Sequence, residues 1–121
     1  MDDIQVLVCD DSALMRNLIS RIIDGTEGMK VCGTAMNGKF CLQKIPQLNP
    51  DLIVLDIEMP EMNGIEATKA ALKINPDLVI IGLSMYDNQK YVNDLIDAGA
   101  RGYLLKLSDN AHIFRQIIKN P

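Results

Sequence analysis

The sequence has few aromatic residues, a single histidine and a shortage of positive charge. It contains two Phe, three Tyr and no Trp, and twelve Lys and Arg stand against sixteen Asp and Glu, which gives a net charge of −4 at pH 7. A nucleic-acid surface requires a basic patch, so with this charge we expect no direct nucleic-acid partner. His112 alone cannot supply the several nitrogen and sulfur ligands of a zinc site.

Long hydrophobic runs are also missing. No apolar stretch reaches the roughly 20 residues of a membrane span, and the N-terminus, Met1-Asp2-Asp3, is acidic where a signal peptide would be basic. Apolar residues make up 48% of the chain, which is typical of a globular protein, and the length fits one domain over residues 1–121. We expect a cytoplasmic protein with no membrane partner.

Cysteine is scarce and follows no recognised motif. Cys9, Cys32 and Cys41 are odd in number and lack CxxC spacing, which argues against a redox or metal site. Cys9 and Cys32 lie in apolar, strand-like runs, where a thiol packs as a small hydrophobic group. We therefore expect buried, reduced thiols, as a cytosolic compartment favours.

Short apolar runs alternate with helical patterns along the whole chain. Five runs have the length and composition of buried strands, namely Val6–Cys9, Met29–Ala35, Leu52–Leu55, Leu78–Leu83 and Tyr103–Leu105. Apolar residues at helical spacing between and after them predict five helices. These are expected after Asp11 as far as Gly25, from Gly38 through Ile45, at Ile65–Ile74, at Asn88–Ala98, and after a cap at Ser108 or Asp109.

This alternation predicts an α/β fold. Strands that are apolar at consecutive positions and joined by crossover helices are typical of a parallel sheet covered on both faces. We expect a five-stranded, doubly wound, flavodoxin-like (βα)5 domain with strand order 2-1-3-4-5. This order is taken from common doubly wound sheets with the same alternation, since the residues alone do not fix it. It would leave a ligand crevice between the first and third strands.

Polar side chains follow four of the predicted strands. Asp10 and Asp11 follow the first strand, Asp56 the third, Ser84 the fourth and Lys106 the fifth. Since ligand sites in parallel sheets form beyond the carboxyl ends of the strands, these five side chains are expected to gather at one edge. Three carboxylates, a hydroxyl and an ammonium group suit a divalent cation together with a phosphoryl group.

Each of these residues taken alone has a structural alternative. Asp10 or Asp11 would serve as the N-cap of the first helix, as Asp commonly does. Ser84 would bond to the local backbone, and Lys106 would be a solvated charge. Asp56 is harder to explain in this way, because a carboxylate after four apolar residues is desolvated at a cost unless it is paired. The five residues together, in this order, favour a functional site.

Mg²⁺ accounts for this set of side chains. Converging carboxylates repel one another unless a cation intervenes, and Mg²⁺ is commonly held by one or two carboxylates with water and phosphate oxygens. With that ion in place, Asp56 has the chemistry of a carboxylate nucleophile that forms an aspartyl-phosphate. Lys106 would add a positive charge, and Ser84 a hydroxyl, toward the phosphoryl oxygens.

Five segments of the chain resemble the receiver domains of two-component response regulators. In order they are Val6–Ser12, Asp51–Pro60, Met62–Gly64, Leu83–Ser84 and Ala98–Lys106. Five such segments in register are highly specific, and the resemblance covers essentially the whole chain. It implies that a sensor histidine kinase transfers a phosphoryl group to Asp56 to control an output domain or target protein. It also implies that Mg²⁺, or Mn²⁺ in its place, is held by the backbone carbonyl of Glu58 and by Asp10, Asp11 and Asp56.

The resemblance assigns roles to further residues. Ser84 and Tyr103 would move together on phosphorylation and change the surface formed by the fourth helix, the fifth strand and the fifth helix. Glu58 and Tyr86 fall on positions that tune the phosphoryl lifetime, and the direction of their effect stays open. Tyr103 has the alternative of an ordinary strand aromatic packed against a neighbouring helix.

Several alternatives stay open at this point. Leu107 follows Lys106 where many receivers have Pro after the lysine, so a cis or trans bond there is undecided.

Asp11–Arg16 resembles chemotaxis regulators and the receiver of the chemotaxis methylesterase, whereas Gly102–Lys106 resembles receivers joined to DNA-binding domains. The chain is thus either a stand-alone receiver or part of a longer regulator. A homodimer through the surface of the fourth helix, the fifth strand and the fifth helix is a further expectation.

Two other functions use similar residues. An aspartate-based phosphatase also needs a strand-end Asp and Mg²⁺, but such enzymes usually carry a second Asp two residues later, where this chain has Glu58. They also need a cap region. A degenerate receiver that serves as a constant interaction domain is disfavoured by the intact five-residue set. We expect a signalling domain that catalyses only its own phosphorylation and dephosphorylation.

Overall fold

Five strands and four helices alternate along residues 3–59, 61–84 and 89–105, which this computed structural model describes. The strands are β1 (Ile4–Cys9), β2 (Met29–Ala35), β3 (Leu52–Asp56), β4 (Val79–Ser84) and β5 (Gly102–Leu105). The helices are α1 (Ala13–Asp24), α2 (Gly38–Leu48), α3 (Gly64–Ile74) and α4 (Gln89–Asp97). None of these helices has the length and apolar character needed to cross a membrane. The predicted fifth helix and the Lys106–Leu107 bond lie outside the described residues.

All neighbouring strands are parallel, in the order β2-β1-β3-β4-β5. This confirms the predicted α/β, flavodoxin-like, doubly wound fold. The order makes β1 and β3 neighbours, and Cys9 of β1 pairs with Leu55 of β3. Asp10 follows Cys9 and Asp56 follows Leu55, so both aspartates lie at the carboxyl ends of these strands. They therefore line the crevice between β1 and β3, where the strand order changes direction.

The sheet is covered on both faces, as the consecutive apolar residues of its strands predict. Side chains alternate across a strand, and Val8 of β1 packs in one core cluster with Ile19 and Ile23 of α1. Cys9, the next residue, belongs to the opposite cluster, which includes residues of α2, α3 and α4. The site residues therefore project from strands that are anchored by packing on each face.

Polar residues before the helices set where the helices begin. Ser12, Asn37 and Asn63 are the N-caps of α1, α2 and α3, and each side chain accepts a hydrogen bond from the backbone N–H three residues later. The alternative in which Asp10 or Asp11 caps α1 is therefore wrong. Ser12 has the extended backbone of an N-cap and the helix begins at the following residue, so both aspartates are left for other contacts.

The three cysteines are free, and their burial differs. Cys9 and Cys41 are buried, whereas Cys32 is only half-buried, because its strand, β2, lies at the edge of the sheet. The expectation of burial is thus wrong in part for Cys32. Burial, followed by the neighbouring Cys41 thiol, raises the pKa of Cys9 well above its ordinary value. Burial also raises the pKa of Cys32, and a raised pKa keeps a thiol protonated and unreactive near neutral pH.

Candidate functional site

Three aspartates meet beyond the carboxyl ends of β1 and β3. Carboxylate oxygens of Asp10, Asp11 and Asp56 lie within 4.8 Å of one another. Asp10 and Asp56 have 0% and 1% of their surface exposed, whereas Asp11 is exposed. We call these three residues the acidic site. Its base is buried between the two strands, and its rim at Asp11 is open to solvent.

The two buried carboxylates are held in the same way. Asp10 Oδ1 accepts a hydrogen bond from the backbone N–H of Ser12 at 2.9 Å, and Asp56 Oδ1 accepts one from the backbone N–H of Glu58 at 2.9 Å. A side-chain oxygen bonded to the backbone two residues later is the geometry of an Asx turn. Local backbone therefore orients both carboxylates at the edge of the sheet.

The backbone of Asp10 is also fixed on both sides. Its N–H donates to the carbonyl of Ala35 in β2 at 3.1 Å, and its own carbonyl accepts from Arg16 Nη1 at 2.7 Å. Arg16 is a residue of the site that sequence analysis missed. Its side chain reaches back past the N-cap of α1, and no spacing rule for helices predicts such a contact.

The end of β4 adds a hydroxyl and, through it, a fourth carboxylate. Asp56 pairs with Leu83 of β4, so Ser84 follows directly at this edge, where it is buried. Ser84 Oγ donates a hydrogen bond to Glu58 Oε1 at 3.3 Å. Glu58 thus touches Asp56 through its backbone N–H and Ser84 through its side chain.

The start of α3 lies directly against the end of β3. The N–H of Gly64 donates to the carbonyl of Ile57 at 2.8 Å, and a Cβ added to Gly64 would lie 2.6 Å from the backbone oxygen of Asp56. Any side chain at this position would displace either α3 or the backbone that carries Asp56. The segment Met62–Gly64 carried part of the family resemblance, but the sequence predicted no role for Gly64, because its close approach depends on where α3 begins relative to the end of β3.

The other predicted site residues are only partly described by the structure. Tyr103 of β5 is half-buried and packs against the core cluster on the α2 to α4 side, which is what the alternative of an ordinary strand aromatic predicts. Its switching role stays a prediction. Lys106 and Tyr86 lie outside the described residues, and their roles also stay predictions.

The composition of the acidic site suits a hard divalent cation. Carboxylates within 4.8 Å of one another repel, and the burial of two of them adds a desolvation cost to the charged form. Mg²⁺ takes oxygen ligands and keeps several waters, and the exposed rim at Asp11 gives water access to the site. The donor set therefore fits Mg²⁺.

A parallel α/β sheet with this acidic site at its switch point places the chain in a class of signalling domains. A family model described as the response regulator receiver domain matches residues 6–118. The chain belongs to this family and is a receiver domain of two-component signal transduction. Receiver domains bind Mg²⁺ at an acidic pocket and interact with histidine kinases and output domains. The resemblance found in the sequence is thereby confirmed.

Individual similar proteins include a methylesterase and two chains of solved structures. The chain is 48% identical over 110 residues to the protein-glutamate methylesterase/protein-glutamine glutaminase of Treponema denticola, and the match covers 89% of this chain and 30% of that protein. The solved response regulator domain of Thermotoga maritima CheB has a TM-score of 0.85 and 34% identity, covering 97% of this chain and 95% of that one. A chain of the CheX-CheY-BeF3-Mg²⁺ complex from Borrelia burgdorferi has a TM-score of 0.88 and 26% identity, covering 98% and 89%. The chain thus spans less than a third of the methylesterase.

Proposed function

We propose that Asp56 accepts a phosphoryl group from a sensor histidine kinase in a reaction that requires Mg²⁺. The observation that carries this proposal is a buried Asp56 carboxylate with oxygens of Asp10 and Asp11 within 4.8 Å. An Asp56 oxygen would attack phosphorus, and the bond from phosphorus to the kinase histidine would break as the aspartyl-phosphate forms. The freed electron pair returns to the imidazole.

The ion would be held by the backbone carbonyl of Glu58 and by three carboxylates, those of Asp10, Asp11 and Asp56. Mn²⁺ is an alternative ion for the same ligands. When bound, the ion supplies positive charge against the carboxylates and the phosphoryl oxygens. The hydrogen bonds from the N–H groups of Ser12 and Glu58 orient two of these carboxylates in advance, which reduces the entropy cost of assembling the site.

Ser84 is the residue proposed to respond first to the phosphorylation of Asp56. Its hydroxyl is buried at the end of β4, beside the strand that ends in Asp56, and would donate to a phosphoryl oxygen. Lys106 would add a positive charge. Tyr103 would respond to the movement of Ser84, and the surface of α4, β5 and the predicted fifth helix would change for an output partner or a second copy of the domain.

Residues 1–121 are proposed to form one receiver domain whose output is chemotactic. The 48% identity to a methylesterase that extends well beyond the match favours either an attached methylesterase or a separate chemotaxis target. The receiver itself would catalyse only its own phosphorylation and dephosphorylation. An aspartate-based phosphatase is disfavoured, because Glu58 stands where such enzymes usually carry a second Asp, two residues after the nucleophile. The Glu58 carboxylate also accepts a hydrogen bond from Ser84.

Intact mass after incubation with acetyl phosphate tests the proposal. We expect a single phosphoryl adduct that depends on Mg²⁺ and is absent from Asp56→Asn. Asp51→Asn is the matched control, since Asp51 is an exposed aspartate at the opposite edge of the sheet, and it should keep the adduct. No adduct under conditions that label another receiver would contradict the proposal, and an adduct that persists in Asp56→Asn would rule out Asp56 as the acceptor.

A further inference from the structure

One residue connects the phosphoryl-accepting aspartate to the hydroxyl proposed to recognise the phosphoryl group. The backbone N–H of Glu58 donates to Asp56 Oδ1 at 2.9 Å. The Glu58 side chain crosses toward β4, where its Oε1 accepts a hydrogen bond from the Ser84 hydroxyl at 3.3 Å. Glu58 is exposed and Ser84 is buried, so the contact joins a solvent-facing carboxylate to a hydroxyl held by the core.

We propose that the Glu58 carboxylate competes with the phosphoryl group for the hydroxyl of Ser84 and so holds the domain in its unphosphorylated form. This inference rests on the proposed function, in which Ser84 donates to a phosphoryl oxygen. A serine hydroxyl has one proton to donate. Ser84 cannot donate fully to Glu58 and to a phosphoryl oxygen at the same time, so the second bond forms only as the first one breaks.

The geometry suits a contact that phosphorylation can break. An O–H···O hydrogen bond is commonly 2.5–3.0 Å long, and the Ser84–Glu58 bond at 3.3 Å is longer and correspondingly weaker. Because Glu58 is exposed, its side chain can rotate into water when the bond breaks and its carboxylate is hydrated there. A phosphoryl group carries close to two negative charges and strong acceptor oxygens, so it is the stronger acceptor for Ser84.

Charge adds to the competition. A carboxylate anion beside an incoming phosphoryl anion is unfavourable. Glu58 is hydrogen-bonded to Ser84, the same hydroxyl that the phosphoryl group would use, so the two anions would lie close together. Glu58 is therefore a positioning residue for Ser84. Its removal should favour the state in which Ser84 is bonded to the phosphoryl group.

Beryllofluoride with Mg²⁺ is the probe that tests this competition, since a trifluoride of beryllium bonded to the Asp56 oxygen stands in for the phosphoryl group. Its affinity can be measured by calorimetric titration of the purified chain. We expect Glu58→Ala to bind beryllofluoride about fivefold more tightly than the wild type, the ratio that corresponds to one net hydrogen bond of about 1 kcal/mol. Glu58→Gln keeps an acceptor oxygen without the charge and should give a smaller gain.

A double-mutant cycle separates this competition from a simple effect of charge. In a Ser84→Ala background the hydroxyl is gone, so the gain in affinity for beryllofluoride from Glu58→Ala should shrink to the smaller part that comes from charge alone. Glu61→Gln is the matched control, an exposed glutamate three residues further along the same loop, and should leave the affinity unchanged in both backgrounds. Without the probe, urea unfolding should show Glu58→Ala less stable than the wild type by the free energy that corresponds to the same fivefold ratio, because this hydrogen bond is present only in the probe-free form.

The outcomes distinguish this inference from the proposed function. An equal gain from Glu58→Ala in both backgrounds would show that Glu58 acts through charge alone and would overturn the competition. Binding of beryllofluoride to the wild type with no gain in Glu58→Ala would overturn it as well, while Asp56 phosphorylation stands. If the wild type neither forms the Asp56 adduct nor binds beryllofluoride, both the proposed function and the competition fail.

Discussion

The two edges of the sheet carry similar residues in different surroundings. At the carboxyl edge, Asp10 and Asp56 are buried and lie close to a third carboxylate. At the amino edge, Asp51 directly precedes β3 and Asp77 stands two residues before β4, and both are exposed. Asp51 Oδ2 accepts a hydrogen bond from the N–H of Gln5 at 2.9 Å, which joins the start of β1 to the loop before β3.

This difference shows that position at the sheet, and not residue type, decides what an aspartate does. The sequence Asn-Pro-Asp-Leu occurs twice, at Asn49–Leu52 and Asn75–Leu78, each time where the chain passes from a helix toward a strand. Its exposed Asp carboxylate is solvated by water at little cost. The carboxyl edge removes water from two carboxylates and sets them beside a third, which is favourable only with a cation or another compensating group. The amino edge is structural, and the carboxyl edge has the groups needed for chemistry.

The largest expected difference between the edges is the response to Mg²⁺. Binding of Mg²⁺ to the folded protein at 100 times its dissociation constant should raise the free energy of unfolding by about 2.7 kcal/mol. Asp10→Asn keeps an oxygen for the N–H of Ser12 but loses the charge, so it should lose most of this gain. Urea unfolding with Mg²⁺ and with EDTA measures the effect. Asp51→Asn should respond to Mg²⁺ as the wild type does, and an equal loss there would remove the distinction between the edges.

Two glycines extend the comparison to the backbone. Gly64→Ala at the carboxyl edge should lower the free energy of unfolding by about 2 kcal/mol, because the added Cβ lies 2.6 Å from the Asp56 backbone oxygen. It should also weaken Mg²⁺ binding, because a shift of the Asp56 backbone away from the added Cβ moves the Asp56 carboxylate. Gly28→Ala at the amino edge meets no atom within 4 Å but has a φ of 85°, so it should cost about 1 kcal/mol and leave Mg²⁺ affinity unchanged. Unchanged Mg²⁺ affinity in Gly64→Ala would contradict a positioning effect on Asp56.

The hydrogen bond of the amino edge should matter only for stability. Asp51→Ala removes the acceptor of the Gln5 N–H, and since this bond is exposed to water, the expected loss is about 0.5 kcal/mol. The variant should form the phosphoryl adduct with acetyl phosphate at the wild-type rate. Urea unfolding and intact-mass time courses check the two parts of this prediction, and a slower adduct would indicate that the two edges are coupled through β3.

The smallest expected effect concerns the thiol beneath the acidic site. The pKa of Cys9 is raised by burial, so the folded protein holds this proton more tightly than the unfolded chain, whose thiol has a pKa of about 8.5. The resulting stability is fully present below that value and is lost as the pH rises toward the raised pKa of the folded protein. Urea unfolding between neutral and alkaline pH should therefore show a shallower decline for Cys9→Ala than for the wild type. An identical decline in both proteins would contradict this assignment.

Much of the fold was predictable because local patterns decide it. The apolar run Met29–Ala35 coincides with β2, and the predicted helix at Ile65–Ile74 differs from α3 by one residue. Strand ends were less accurate, since β4 includes Ser84, which pairs with Leu105. A polar residue continues a strand when its backbone still meets a partner strand, and apolar periodicity does not report this.

The contacts that assemble the site were not predictable in the same way. The N-cap at Ser12, the contact of Arg16 with the Asp10 carbonyl, the approach of Gly64 to Asp56 and the Ser84–Glu58 bond all depend on where neighbouring elements end. The order along the chain indicated which residues would share an edge. Side-chain partners followed only from the strand register and the position of each helix start.

Local sequence was enough to establish the alternation of strands and helices, the parallel sheet, and the set of oxygen-bearing residues at strand ends, because periodicity and residue chemistry are local properties. The placement of β1 beside β3, which buries Asp10 and Asp56 together, came from the tertiary structure, as did the bond of Ser84 to Glu58 across 26 positions of the chain. Such pairs form only when the loops between them close and the strands find one register. Local preference contains no information about either.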